Sequence, residues 1–254
     1  MNRYRGIFPS IFTMGNLFCG FASILVSVKG EKPTEAAWLI IIASFFDFLD
    51  GLVARISRSA SRFGIELDSL ADIVSFAVAP AVLLYSFKMI NFGNISWILG
   101  FTFIMAGAYR LARYNLAAKL ESKSNFIGLP LPAAAVTLAS FVIFCYYFWG
   151  EMKLDRFLSI MIVLFSALMV STIEYEAIPK FDLSTRKDRN KIFLLIVAGL
   201  ALMIKTQLVM FPILAIYILS GIVKLIVGLL DRTVREELTR PRNLFKKKNK
   251  DDEV

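Results

Sequence analysis

Four aspartates lie close together in a part of the chain that is otherwise strongly apolar, and their carboxylates are the groups best suited to chemistry. They are Asp47, Asp50, Asp68 and Asp72. Acidic side chains within membrane-spanning segments are costly and usually mark a functional site that faces the protein interior. Spacings of three and four residues place each pair on one helix face. Because only a short basic segment separates the pairs, we expect the two acidic faces to meet as an antiparallel helix pair.

The residue types available restrict the chemistry of this cluster. Neighbouring carboxylates repel one another unless a cation lies between them. The chain has no histidine, and its two cysteines, Cys19 and Cys145, lie in other apolar segments. Histidine-based catalysis and histidine-ligated zinc are therefore excluded. Oxygen-only ligation favours Mg²⁺ or Mn²⁺, and a pair of such ions can clamp the attacking and leaving oxygens of a phosphoryl displacement. We predict that the four aspartates are metal ligands.

Three small residues and one arginine share the same helix faces. Gly51, Ala54 and Gly64 would let a bulky polar group lie against the helix backbone, and Arg55 would supply positive charge for a phosphate. Considered one at a time, small residues at helix interfaces are more often packing devices. Their combination with the four acids favours a binding role.

The elements that must position these residues are membrane-spanning helices. The chain has 254 residues, 57% of them hydrophobic, and a mean hydropathy of +0.65. A spanning helix needs about 20 apolar residues, and the fold class we predict is an all-α polytopic bundle. Eight segments are candidates, of which the seventh is short: 8–28, 34–55, 65–88, 95–118, 129–149, 154–173, 192–204 and 208–230.

Basic residues are distributed unequally between the two sets of predicted loops. The two termini and the second, fourth and sixth loops hold 22 lysines and arginines, whereas the alternate loops hold six. By the positive-inside rule, both termini are cytoplasmic, and the acids lie near the cytoplasmic side of the cell membrane. The net charge of +9 is thus mainly a topology signal. Because the basic residues are spread over many loops, we expect no nucleic-acid binding.

The ordered residues from Asp47 to Asp72 resemble the signature of the CDP-alcohol phosphotransferases. The pattern Asp-x2-Asp-Gly-x2-Ala-Arg-x8-Gly-x3-Asp-x3-Asp matches at every specified position. The resemblance implies an integral membrane enzyme that transfers a substituted phosphate from a CDP-linked donor to a hydroxyl acceptor and releases CMP. It also implies a homodimer. Residues 1–190 would form the family's six-span core, 191–230 an additional helical pair, and 231–254 a basic cytoplasmic tail.

The resemblance also implies roles for individual residues. The four aspartates would hold two divalent ions, and Asp72 would also be the general base. Gly51, Ala54 and Gly64 would border the cytidine, and Arg55 its diphosphate. The first span carries Thr13 and Asn16, and this pattern is similar to the first helix of the family's lipid synthases, where the asparagine contributes to the nucleotide or phosphate site. An ordinary hydrogen bond between helices is the other reading of Asn16.

The expected acceptor rests on a second stretch of sequence. Arg110 and Arg113, followed by Gly128, Pro130 and Pro132, resemble the pattern of the family's bacterial and archaeal members that use serine. Arginines three residues apart share a helix face, where they could hold the carboxylate of L-serine. Ordinary positive-inside flanking is the other reading of these two residues.

We therefore expect CDP-diacylglycerol and L-serine as substrates. Phosphatidylglycerophosphate or phosphatidylinositol-phosphate synthesis is the nearest alternative. An ion-coupled transporter is the alternative from another class, because such proteins also carry carboxylates within spans. The two halves of the sequence show no inverted repeat, and a transporter has no need of the ordered glycine, alanine and arginine positions.

Overall fold

The part of the chain that the structure describes is almost entirely helical. The computed structural model describes residues 11–57, 62–87, 93–120, 126–153, 155–175 and 205–223. Within these ranges, six helices are long and apolar enough to cross a membrane, and Arg156–Val170 is a shorter apolar helix. The prediction of a helical membrane protein is confirmed. The predicted seventh span, 192–204, and the basic tail, 231–254, lie outside the described residues.

The helical segments occur along the chain in the following order. They are α1 (Ile11–Lys29), α2 (Pro33–Ser57), α3 (Arg62–Asp72), a π-helical segment (Ile73–Val78), α4 (Ala79–Phe87), α5 (Asn94–Leu120), α6 (Leu131–Trp149), α7 (Asp155–Val170) and α8 (Lys205–Val223). The two-residue strands β1 (Phe126–Ile127) and β2 (Glu174–Tyr175) pair antiparallel. The predicted third span is therefore three consecutive helical segments, and the sixth ends before its predicted limit of residue 173.

Glycine and proline set several of these boundaries. Gly30, with φ of +74°, follows α1 and turns the chain back so that α2 packs along α1. Pro130 precedes α6, and Gly150, with φ of +67°, ends it. Proline suits the start of a helix, where no backbone donor is needed, and glycine adopts the left-handed conformation at its end without strain.

Helix α6 lies at the centre of the bundle. It packs against α2, the π-helical segment and α7, and most of its residues are buried. Phe76, Phe103 and Phe141 are the largest side chains that are almost completely buried. Large apolar side chains such as Phe18, Trp97 and Ile160 are instead exposed on outward faces. Such faces suit a lipid environment, where they would not be in contact with water.

Candidate active site

Three of the four aspartates converge between α2 and α3. One carboxylate oxygen each from Asp47, Asp68 and Asp72 lies within 4.8 Å of the others. Asp72 is buried, and the other two are half-buried. The Oδ1 atom of Asp68 is buried and has no hydrogen-bond partner. Three carboxylates this close together repel one another, so the arrangement favours a bound cation, and a purely oxygen donor set suits a hard divalent ion.

The fourth aspartate has a different partner. Thr13 on α1 donates a hydrogen bond of 2.7 Å from Oγ1 to Oδ2 of Asp50. Asp50 lies outside the three-acid group, although its charge interacts with those of Asp47 and Asp68. The prediction that Asp50 is a metal ligand therefore stays a prediction.

Helix α1 also contacts the deepest acid of the cluster. The Nδ2 atom of Asn16 donates a hydrogen bond of 3.0 Å to Oδ1 of Asp72, and Asn16 is fully buried. Its own Oδ1 atom has no hydrogen-bond partner. The interhelical hydrogen bond expected as one reading of Asn16 is thus present, whereas its contribution to a nucleotide site stays a prediction. Through Thr13 and Asn16, α1 fixes one acid from each pair.

The backbone next to Asp72 departs from a regular α-helix. The π-helical segment starts at Ile73, and π-helical turns are frequent at functional sites. Its Ser75 donates a hydrogen bond of 2.9 Å from Oγ to the backbone oxygen of Asn16. A Cβ atom on Gly20 would lie only 2.6 Å from Cα of Ser75, so only glycine permits this approach of α1. Neither Gly20 nor Ser75 was predicted from the sequence, although the four-residue spacing from Asn16 places Gly20 on the same face of α1.

The small residues of the signature lie beside the acids. Gly51 is exposed, and a Cβ atom on it would meet no atom within 4 Å. Ala54 and Gly64 are half-buried. Arg55 belongs to α2, but its side chain lies outside the described part of the structure. The contacts of these four residues with a nucleotide stay predictions.

Arg110 on α5 brings a buried positive charge to the site. It is only 5% exposed, and its Nε atom has no hydrogen-bond partner. Its guanidinium carbon lies 5.8 Å from the ring centre of Tyr114. The charge of Arg110 interacts with Asp72 and also with Tyr217 of α8. A buried cation therefore lies near Asp72.

Arg113, one helical turn further, is engaged with the end of α7. Its Nη1 atom donates to the carbonyl of Val170 at 2.9 Å, and Nη2 donates to those of Ser171 at 3.0 Å and Met169 at 3.2 Å. Gly128, with φ of +83°, lies against this contact, and a Cβ atom there would be 2.8 Å from Nη2 of Arg113. Arg113 thus satisfies carbonyls that a helix end leaves without partners. Its predicted contact with an acceptor stays a prediction.

Comparison with known proteins agrees with this geometry. A sequence model of the CDP-alcohol phosphatidyltransferase family matches residues 6–173. CDP-diacylglycerol–serine O-phosphatidyltransferase of Helicobacter pylori is 36% identical over 221 residues, which are 86% of this chain and 90% of that protein. Archaetidylserine synthase of Methanothermobacter thermautotrophicus is 37% identical over 179 residues, or 70% of this chain and 72% of that protein. The Methanocaldococcus jannaschii CDP-diacylglycerol–serine O-phosphatidyltransferase is 36% identical over 221 residues, or 85% and 92%.

Proposed function

Because the chain belongs to the CDP-alcohol phosphatidyltransferase family, we propose that it transfers the phosphatidyl group of CDP-diacylglycerol to the hydroxyl of L-serine and releases CMP. The observation that carries the proposal is the convergence of Asp47, Asp68 and Asp72 within 4.8 Å in a chain whose relatives are serine-using synthases. With divalent ions bound, such a cluster would be best suited to displacement at a phosphorus atom.

Asp72 is the general base in this proposal. It takes the proton of the serine hydroxyl, the serine oxygen bonds to the phosphorus that carries diacylglycerol, and the bond from that phosphorus to CMP breaks. Asn16 holds the Asp72 carboxylate through its 3.0 Å hydrogen bond, and Ser75 fixes Asn16 in turn. Positioning of this kind lowers the barrier because the base and the hydroxyl meet in a productive geometry.

The four aspartates are proposed to hold Mg²⁺ or Mn²⁺, two ions in all. Bound ions would neutralise the phosphates and stabilise the charge that develops as CMP leaves. Two features of the residues support this assignment. Three carboxylate oxygens lie within 4.8 Å of one another. The Oδ1 atom of Asp68 is also buried and accepts no hydrogen bond.

The nucleotide is proposed to lie along α2 and the start of α3. Gly51, Ala54 and Gly64 would border the cytidine, Arg55 would contact the diphosphate, and Asn16 would belong to the same subsite. The space beside Gly51, where a Cβ atom would meet nothing within 4 Å, supports this placement. A side chain there would instead occupy the room that a base or ribose needs.

We propose that Arg110 binds the carboxylate of the acceptor, L-serine. Its burial and its unpartnered Nε atom support this role. Arg113 is proposed to act from the same helix by holding α5 against the end of α7, with any acceptor contact secondary to that role. Phosphatidylglycerophosphate and phosphatidylinositol-phosphate synthesis are the alternative functions, because an arginine also binds a phosphate well.

The membrane arrangement is proposed to have eight spans, both termini cytoplasmic and the acids near the cytoplasmic face of the cell membrane. The loop charges support this orientation. The backbone N–H of Gly128, just before α6, donates a hydrogen bond of 2.7 Å to the carbonyl of Ile173. Near the other end of α6, Nζ of Lys205 donates one of 3.4 Å to the Tyr147 hydroxyl. These two points are about the length of a span apart, as expected if one crossing joins them.

The proposed division of the chain follows from this arrangement. Residues 1–190 form the family core, 191–230 an additional helical pair and 231–254 a basic cytoplasmic tail. We also propose a homodimer, on the strength of the family resemblance.

A CMP-release assay on the purified protein tests the function. CDP-diacylglycerol and Mn²⁺ or Mg²⁺ are mixed with L-serine, glycerol 3-phosphate or inositol phosphate, and Asp72→Asn is the control for background release. We expect release with L-serine alone. Release of CMP with a phosphorylated acceptor would show that this compound, and not L-serine, is the acceptor, and the role of the acid cluster would be retained. Release with none of them would contradict the transferase assignment and favour the transporter.

A further inference from the structure

Arg110 is a buried cation that lacks a complete set of partners. It is 5% exposed, and its Nε atom has no hydrogen-bond partner. Leaving a guanidinium in this state is costly unless an anion compensates its charge. Asp72 compensates it only in part, because that carboxylate is also needed by the metal site and as the base. The remaining compensation is best supplied by a substrate, and the amino-acid acceptor of the proposed function carries a carboxylate.

Helix α8 is fixed in place beside this cation. The ring of Phe211 on α8 lies 5.0 Å from that of Phe141 and 5.5 Å from that of Phe144, both on α6. Further along α8, Ile218 is only 2% exposed. A helix seated by aromatic packing and by a buried side chain presents its other residues in a defined position.

Tyr217 is the neighbour of Ile218 on α8. Its side chain is half-buried and packs against the core of the bundle, and its phenol interacts electrostatically with Arg110. Arg110 interacts in the same way with Asp72. Arg110 therefore links the proposed base and the phenol. In L-serine, a short carbon skeleton joins the hydroxyl that must reach Asp72 to the carboxylate that would meet Arg110.

We infer that Tyr217 is a specificity-determining residue for the acceptor: its hydroxyl donates a hydrogen bond to the carboxylate that Arg110 binds. A carboxylate has about four acceptor positions, of which an arginine fork fills two, so a phenol can add a third bond. This inference rests on the proposed function. It places part of the acceptor site on α8, which lies beyond the residues 6–173 that match the family.

Replacing the phenol hydroxyl alone tests the inference. In Tyr217→Phe, the ring remains and the packing of α8 is preserved. Loss of one hydrogen bond to a charged group should raise the KM for L-serine roughly tenfold. The KM for CDP-diacylglycerol and the thermal denaturation midpoint should not change. Tyr147→Phe is the matched control, because it removes a phenol that contacts Lys205 at the other end of α6, and it should leave both KM values as they are.

A second substrate separates recognition of the carboxylate from a packing effect. L-Serinamide lacks the carboxylate, so the ratio of kcat/KM between the native protein and Tyr217→Phe should fall from roughly ten with L-serine to about one. An unchanged KM for L-serine in Tyr217→Phe would overturn the inference. Equal losses with both acceptors would overturn it too, because they would indicate a structural role.

The inference remains testable if Tyr217→Phe does not fold. In Tyr217→Cys, a small thiol reagent should label the new cysteine, and L-serine should slow that labelling several-fold. The native Cys19 and Cys145 are buried and give a low background. Labelling that L-serine does not slow would overturn the inference. If the proposed function itself were wrong, the native protein would release no CMP in response to L-serine, and this result would be distinct from those of the variants.

Discussion

Replacing Gly51 by alanine separates the stability of the fold from the binding of the nucleotide. A Cβ atom at this position would meet no atom within 4 Å, so the substitution disturbs no contact between the described side chains. Glycine inside a helix costs roughly 0.5–1 kcal/mol relative to alanine. We therefore expect Gly51→Ala to keep or raise the thermal denaturation midpoint, by about 2–4 °C per kcal/mol for a chain of this size.

The same methyl group should impair the reaction. If cytidine packs against this face of α2, the added methyl group clashes with it. Overpacking of this kind costs about 1–3 kcal/mol, here of the binding free energy of the nucleotide. At about 1.4 kcal/mol per factor of ten, this cost raises the KM for CDP-diacylglycerol by roughly 5- to 150-fold. The KM for L-serine should stay within about twofold, because the acceptor binds elsewhere.

Initial rates of CMP release, with each substrate varied in turn, provide the measurement. Gly100→Ala on α5 is the matched control, since its Cβ atom would lie 3.8 Å from that of Ala81, an ordinary contact. It should gain the same helix stability without any change in KM. An unaltered KM for CDP-diacylglycerol in Gly51→Ala would refute the placement of the nucleotide. A lowered denaturation midpoint would refute the claim that the space is open.

Three other substitutions test how the site is held. Asn16→Ala removes the hydrogen bond to Asp72, worth about 1.5–3 kcal/mol to a charged group, so kcat should fall about 10- to 100-fold; an undiminished kcat would exclude a positioning role. Arg113→Lys replaces a guanidinium fork by one ammonium group. Loss of two of the three hydrogen bonds, at about 1 kcal/mol each, should lower the denaturation midpoint by roughly 4–8 °C, measured in detergent, whereas an unchanged midpoint would show that the carbonyl contacts contribute little. Gly20→Ala forces α1 away from Ser75 and should reduce both the midpoint and CMP release; retention of both would mean that the bundle absorbs the methyl group.

Much of the acid site was predictable because it depends on helix periodicity alone. Asp68 and Asp72 share a helix face because they are four residues apart, and a short basic link returns the chain toward α2. The expected direct pairing of α2 with α3 is not what is observed: these two helices have few direct contacts, and both pack against α1. The convergence of Asp47 with this pair was therefore expected and is present. The separation of Asp50 was not expected, because its partner Thr13 comes from another helix whose rotation the local sequence does not determine.

Features that depend on tertiary contacts escaped prediction. The π-helical segment after Asp72 packs against α1 through Ser75, and the local sequence gives no signal for this departure from α-helical geometry. Arg113 was predicted to be an acceptor ligand from its helix face, but its observed partners are backbone carbonyls of α7, which carry no sequence signal. Tyr217 is more than a hundred residues away from Arg110 in the sequence, so only the packing of α8 brings its phenol within electrostatic range of the guanidinium.

Transfer of isotopically labelled L-serine into lipid is the most direct test of the central claim, which joins the acid cluster to serine chemistry. The native protein is incubated with CDP-diacylglycerol, L-serine and Mn²⁺ or Mg²⁺, beside a chelated sample and Asp68→Asn. We expect label in the lipid fraction in an amount equal to the CMP released, with both products lost on chelation and in Asp68→Asn. CMP release without labelled lipid, or full transfer by Asp68→Asn, would contradict the claim.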